Sequence, residues 1–161
     1  MKIHLASDHT GYEFKGQLKI YLEGLGHEVE DAGPLEYNDA DDYPDFVTPM
    51  AQSVAKDPGS FGVVLGGSGQ GEAMCANRVR GARAVVFYGE ALPQRDVDIV
   101  GHTSADSFEI VKLARTHNNA NIISFGVRFV SFDQIKFATE LFIVTSFSGD
   151  ERHIRRIGKF D

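Results

Sequence analysis

The chain predicts an α/β fold: a parallel, five-stranded sheet covered by helices on both faces. Three observations carry that expectation. Short apolar or alternating segments take turns with segments of helical period. Glycine-rich or polar loops close most of the strand-like segments, and no internal repeat, low-complexity tract or linker breaks the alternation. The length, 161 residues with 42% apolar content, suits one domain spanning 1–161 with a full core. Alternating strands and helices imply right-handed crossovers between parallel strands. In such sheets ligands sit outside the carboxyl ends of the strands.

Ile3 to Ser7 reads as the first strand and empties into Ser7-Asp8-His9-Thr10-Gly11. Phe14, Leu18, Tyr21 or Leu22, and Leu25 then share a helix face, and Gly24 and Gly26 stop that helix. His27 to Asp31 alternates and is the second strand, closed by Gly33-Pro34. An acidic loop, Glu36 to Asp42, leads through Tyr43-Pro44 to a helix over about 46–55, and Asp57-Pro58-Gly59 is a turn. Phe61 to Leu65 is an apolar run that reads as a buried strand, and Ala82 to Tyr88 is the fourth strand. Glu90 to Ser104 holds Pro93, Gly101 and several Asp residues with little periodicity, so it is a loop with at most a short helix. A helix is expected from about Asp106 to Arg115, with Phe108, Val111 and Leu113 or Ala114 apolar and His117-Asn118-Asn119 at its end. Asn121 to Phe125 is the fifth strand, closed by Gly126. Ile135, Ala138, Leu141 and Phe142 mark one more amphipathic helix, and the polar, basic tail over 149–161 a last short one.

The third strand feeds a loop in which Gly66, Gly67, Gly69 and Gly71 surround Ser68, and a helix starts with Glu72 in its first turn. Strand, glycine loop and helix together aim backbone N–H groups at an anion. The spacing fits neither the dinucleotide fingerprint nor the phosphate loop, and no Gly-Lys-Ser/Thr follows. An acid in a helix's first turn ordinarily just complements the macrodipole. Here the glycines would bring a ligand beside the side chain. Donors facing a developing oxyanion, with a base alongside, are the equipment for removing a proton next to a carbonyl.

The other polar positions carry two readings each. Asp8-His9 is either solvated loop or, at a strand's carboxyl end, a phosphate donor (His9) beside an acceptor for substrate hydroxyls (Asp8). His117-Asn118 is either a helix C-cap or a general acid with a near-neutral pKa. Arg152 and Arg156, four apart, share a helix face and with His153 and Arg155 form the one dense basic cluster. That cluster is either a solvated tail or, with Arg128, a set of guanidinium forks for phosphate.

Composition narrows the partners. Sixteen basic against 23 acidic residues leave a net charge of −7, which disfavours nucleic acid and fits a small phosphorylated ligand better than a polymer. Cys75, the sole cysteine, excludes an intrachain disulfide and offers no zinc spacing; it reads as a small buried hydrophobe. No apolar run reaches the roughly 18–20 residues of a membrane span, and the chain opens directly on a strand pattern, so a cytoplasmic protein with no membrane partner is expected.

Taken together, these residues resemble the ribose-5-phosphate isomerase type B family, which includes the galactose-6-phosphate isomerase subunits. The resemblance is carried by Ser7 to Glu13, Asp42-Tyr43-Pro44, Gly66 to Asn77, Arg115 to Asn121, Phe125-Gly126-x-Arg128 and Arg152-His153-x-Arg155-Arg156. It implies a three-layer α/β/α, Rossmann-like sandwich. It also implies an aldose–ketose isomerase that opens the sugar ring and moves a proton between C2 and C1 through an enediolate, with no metal and no cofactor. One subgroup of the family has a Cys base at the start of the glycine loop and the other a Glu at its end. This chain has Gly66 at the first position and Glu72 at the second, so the resemblance points to Glu72 as base and not to Cys75. It implies that Ser68 and the N–H groups of Gly67, Gly69, Gln70 and Gly71 hold the enediolate oxygen. His117 would open the ring and Asn118 bind the sugar. His9, Arg128, Arg152 and Arg156 would hold the phosphate, Asp8 a hydroxyl, and Tyr43 would line the pocket. Family members are homodimers, often paired into tetramers, with sites shared between chains, which would take the tail over 149–161 to a neighbour.

Ribose 5-phosphate is the substrate the resemblance implies first. A six-carbon sugar phosphate, such as galactose or allose 6-phosphate, is the alternative within the same chemistry, and a non-catalytic sugar-phosphate sensor the alternative outside it. The segment over about 88–107 is longer than the family's usual connection, and its Glu90, Arg95, Asp96, Asp98 and His102 have no assigned counterpart. For Glu72, the helix start pulls the pKa down while burial pushes it up, and both directions stay open.

Overall fold

A computed structural model describes residues 1–161 and contains five strands and six helices. In chain order these are β1 (Lys2–Ser7), α1 (Tyr12–Gly24), β2 (Glu28–Asp31), α2 (Pro44–Lys56), β3 (Phe61–Gly66), α3 (Gln70–Ala76), β4 (Ala84–Phe87), α4 (Glu109–Asn118), β5 (Ile122–Gly126), α5 (Phe132–Val144) and α6 (Glu151–Ile157). The strands lie in the order β2-β1-β3-β5-β4, every pair parallel. The expected fold is therefore the observed one.

Two cores flank the sheet because successive strand side chains point to opposite faces. Ile3, Leu5, Val63, Leu65, Ile123 and Phe125 pack with Leu18 and Leu22 of α1, Val111 and Ala114 of α4, and Ile135, Ala138 and Phe142 of α5. Ala6, Val64 and Ile122 face the other way, onto Val47, Met50, Ala51 and Val54 of α2 and Ala76 of α3. Three-residue and four-residue spacing of these apolar positions is what makes each helix lie flat on the sheet. From β1 the chain moves outward to β2, and from β3 it moves to the opposite edge. The topological switch point thus falls between β1 and β3, where doubly wound sheets open a crevice.

Some boundaries differ from the sequence expectation, each for a local reason. Helix α2 starts two residues early, at Pro44, because proline's missing N–H costs nothing in a first turn. Helix α4 starts at Glu109 rather than Asp106: Asp106 turns its carboxylate back to accept from Phe108 N–H at 2.8 Å, and Ser104 Oγ accepts from Asp106 N–H at 3.1 Å. It then runs on through His117 and Asn118 and stops where Asn119 adopts φ 45°, a left-handed conformation asparagine tolerates. The long segment before it is irregular, as expected, and is pinned at its base by Glu90, which accepts from Ser107 and Gln134. Lys15 sits buried in α1, where helical period alone would place it among solvated positions; its ammonium donates to Asp31 and to the Pro34 carbonyl. That pair ties α1 to the loop leaving β2. No helix is long and apolar enough to cross a membrane.

Candidate active site

At the switch point, the ends of β1 and β3 meet. Asp8, the residue after β1, is buried and accepts from Gly11 N–H at 2.9 Å and, more weakly, from Gly67 N–H at 3.4 Å. It therefore ties the glycine loop to the first strand. Gly69 caps α3 at φ 72°, and a Cβ there would come within 2.9 Å of the Phe125 carbonyl carbon, so the loop lies directly on β5. Ser124 Oγ donates to the Gly69 carbonyl at 2.8 Å and holds it there. Ser68 is exposed at the crest, its hydroxyl accepting from Gln70 N–H at 3.3 Å. The N–H groups of Ser68, Gly69 and Gly71 have no acceptor within the chain. Three unpaired donors within four residues at a helix start form an anion-binding nest.

The side chains around that nest are those expected. Tyr43 lays its hydroxyl against Gly71, where a Cβ would come within 2.7 Å of it. The Arg128 guanidinium packs over Gly67, 3.1 Å from where a Cβ would stand. Arg128 N–H also donates to the Gly67 carbonyl at 3.3 Å and Val127 N–H to the Gly66 carbonyl at 2.9 Å, so the turn after β5 is bonded to the loop after β3. His9 is partly exposed, its Nδ1 2.8 Å from Asp41 Oδ1.

Glu72 is the one buried acid of this group besides Asp8, at 4% exposure. Its carboxylate fills the space a side chain on Gly66 would occupy. Burial raises its pKa above the ordinary carboxylate value; its own backbone N–H lowers it and the Asp8 charge raises it further. Of the two opposed influences on this acid, burial dominates. A carboxyl held above its usual range is a stronger base once ionised, which is what proton abstraction from carbon demands.

The remaining expected residues lie elsewhere. Helix α4 runs antiparallel to the strands, and its end is fastened to their amino termini: Arg83, just before β4, donates to the Asn119 carbonyl at 2.9 Å, and Asn121 Oδ1 accepts from Arg83 N–H at 2.7 Å. A strand of this length spans about 15–20 Å, so His117 and Asn118 stand a sheet's width from the nest in the same chain. There the His117 ring meets that of His153 with centroids 4.4 Å apart, which brings α6 and Arg152 alongside. Burial lowers the His117 pKa, and the adjoining His153 ring and Arg152 lower it further, against Asp150 and Asp98. Arg152 Nε is buried with no hydrogen-bond acceptor, since Asp150 stands 3.8 Å away, beyond bonding range. Arg156, one turn on, is exposed. Asn118 lines a cavity of about 780 Å³ together with Arg78, Arg80 and Arg83. One chain therefore places the expected residues in two groups, at opposite ends of its sheet.

Two contributors escaped the sequence reading. Asp41 belongs to an acidic run that looks solvated, yet its side chain is 4% exposed and grips His9. A signal existed in Asn38, whose side chain accepts from Ala40 N–H at 3.0 Å in the turn that positions Asp41. Arg115 is the other: buried, it donates to the Ala120 and Thr145 carbonyls and stacks 4.8 Å from the Phe61 ring centre, fixing the end of α4. No three His, Cys, Asp or Glu side chains cluster as a metal ion would require.

Fold and site define a doubly wound α/β protein with a buried carboxylate beside unpaired backbone donors at its switch point. More narrowly, the chain belongs to the Ribose/Galactose Isomerase family, which matches residues 3–99 and 97–160. It is similar to ribose-5-phosphate isomerase B of Mycobacterium tuberculosis, at 38% identity over 98% of this chain and 86% of the relative. Among solved structures it is similar to ribose-5-phosphate isomerase B from Mycoplasma genitalium with bound ribulose-5-phosphate, at 32% identity and a TM-score of 0.82 over 98% of this chain and 92% of that one. The Thermotoga maritima ribose 5-phosphate isomerase superposes with a TM-score of 0.82 at 37% identity, over 99% of this chain and 97% of its own.

Proposed function

We propose that this protein interconverts ribose 5-phosphate and ribulose 5-phosphate, with Glu72 as the base that moves the proton. The observation that carries this reading is the buried Glu72 carboxylate set against Gly66, with the unpaired N–H groups of Ser68, Gly69 and Gly71 beside it. The family membership and the ribulose-5-phosphate bound by the similar Mycoplasma genitalium enzyme support the choice of substrate.

The chemistry follows from those groups. On the open-chain aldose, Glu72 takes the C2 proton, and the electron pair left on C2 forms the C1–C2 double bond as charge passes to O1. The nest donors receive that charge, an arrangement worth several kcal/mol when water is excluded. The O2 proton passes to O1, and Glu72 returns its proton to C1, so the reaction is redox-neutral overall. His117 supplies the proton that the ring oxygen takes up on opening and is restored by the proton that the anomeric hydroxyl loses as the C1 carbonyl forms. His9 and Arg128 from the nest side, with Arg152 and Arg156, bind the phosphate; Asp8 accepts from a hydroxyl, and Asn118 and Tyr43 hold the sugar.

Because His117, Asn118, Arg152 and Arg156 lie at the far end of the sheet from Glu72, this reading requires two chains. A two-fold dimer brings the His117 end of one subunit to the Glu72 end of the other and makes two such sites at once. Association of dimers into a tetramer leaves that pairing intact.

Proton NMR in heavy water tests the reaction directly. Incubation of the protein with ribose 5-phosphate and a metal chelator is expected to yield ribulose 5-phosphate with solvent deuterium on the transferred carbon. Glu72→Gln is expected to lose turnover by about 10³-fold or more while still binding phosphate esters. Faster turnover of galactose or allose 6-phosphate would move the assignment to six-carbon sugars. No turnover of any sugar phosphate would leave a binding protein.

A further inference from the structure

The geometry points to Asp41 as a positioning residue that holds His9 with one ring nitrogen fixed and the other free to meet the substrate's phosphate. The inference deepens the reading above and rests on it, since it takes His9 to be a phosphate ligand.

Four observations carry it. Asp41 Oδ1 lies 2.8 Å from His9 Nδ1, across 32 residues of chain, so the pair joins the β1 end to the loop before α2. The two side chains differ in exposure, 33% for His9 and 4% for Asp41, so the histidine ring stays open to an incoming ligand while the carboxylate is covered behind it. Asp41 Oδ2 is buried and has no hydrogen-bond donor in the protein. The backbone that places Asp41 is itself fixed, by the turn in which Asp41 N–H donates to the Asn38 carbonyl at 3.3 Å.

Physical chemistry supplies the reason. A carboxylate removed from water with a single side-chain partner is a poor stabilising device. It does, however, determine its neighbour's state. With Nδ1–H committed to Asp41, Nε2 becomes the ring's other donor when the imidazole is protonated, and the hydrogen bond opposes rotation that would exchange the two. The charged groups facing His9 are Asp8, on its own strand end, and Asp39 and Asp41, on the loop opposite. The Asp41 hydrogen bond is the largest influence and raises the His9 pKa, with Asp8 and Asp39 adding in the same direction against the opposing effect of burial. A raised pKa in a histidine means that the imidazolium persists to higher pH, where a sugar phosphate is a dianion. Asp41 thus favours the cationic form of His9, on the side of an acidic protein where the proposed site takes the substrate's charge.

The test separates the pair from the phosphate role. His9 is titrated by ring NMR in the substrate-free protein, and KM and kcat for ribose 5-phosphate are followed against pH in wild type, Asp41→Asn, His9→Asn and the double variant. His9 in the wild type is expected to titrate above 6.5, the ordinary value. Asp41→Asn is expected to lower that titration and raise KM about tenfold near pH 8, while kcat falls less than about threefold. On the His9→Asn background the same substitution is expected to add less than about twofold to KM. A His9 titration at or below the ordinary value in the wild type, which needs no variant, overturns the proposal. So does a titration unmoved by Asp41→Asn, or an equal KM penalty with and without His9. An unchanged KM in His9→Asn alone, with the titration shift present, overturns the phosphate role of His9 and leaves the pairing standing.

Discussion

Glu72 occupies the room of a missing side chain on Gly66: a Cβ built there would lie 2.1 Å from Oε1 and 2.2 Å from the carboxyl carbon. The two positions therefore cannot both carry a side chain in this arrangement. The resemblance describes the base as lying at either the start or the end of the glycine loop, and that alternative becomes a steric one here. Gly66→Ala is expected to push the carboxylate aside by an ångström or so and reduce kcat about 10²-fold. Thermal unfolding should change little, because the displaced group is a desolvated acid rather than apolar core. Full activity in Gly66→Ala, measured at saturating ribose 5-phosphate, would show that Glu72 has another productive position.

Burial of Glu72 also carries a stability cost with a defined pH dependence. Its folded pKa is raised above the unfolded value. The folded state therefore binds more protons than the unfolded chain across the interval between the two, and stability falls as pH rises through it. Below the unfolded value the penalty is absent. Glu72→Gln removes the ionisation and is expected to raise Tm near neutral pH by about 2–4 °C, roughly 1 kcal/mol at this length, with the gain vanishing at low pH. Calorimetry at two pH values checks it, and a variant less stable than wild type at neutral pH would contradict the assigned burial.

At the other half-site, Arg152 has its Nε buried without an acceptor, and an incoming phosphate oxygen supplies one. Arg152→Ala is expected to raise KM for ribose 5-phosphate by about 10–100-fold, the value of one charge-assisted hydrogen bond, with kcat lowered less than tenfold. Steady-state kinetics decide; an unchanged KM would remove this arginine from the phosphate site.

Much of this was legible from the chain. Short apolar or alternating runs between segments of helical period marked the strands and most of the helices, because central strands of a parallel sheet are buried on both faces and the covering helices on one. Asp8, His9, the glycine loop and Arg128 could be gathered on one rim because strand ends in a parallel sheet share a side. The separation of His117 from Glu72 follows from the same topology, since a crossover helix runs antiparallel to its strands. What stayed hidden was specific to tertiary contact. Nothing in the spacing gave Lys15 or Arg115 a structural role, yet each is buried and bonded to backbone carbonyls. Asp41 was masked by its acidic neighbours, because burial of one carboxylate in a run of acids has no signature in spacing. The balance of influences on Glu72 needed coordinates, since local sequence names the opposing effects without ranking them.

The composite site is tested most directly by mixing two inactive chains. Glu72→Gln and His117→Asn are unfolded together in equal amounts, refolded, and assayed with ribose 5-phosphate. If each site takes its base from one subunit and its acid from the other, half of the dimers are mixed and each restores one intact site. Activity should then recover to roughly a quarter of wild type, while either variant refolded alone stays inactive. A mixture no more active than its components would contradict the shared site and with it the proton-transfer assignment of these two residues.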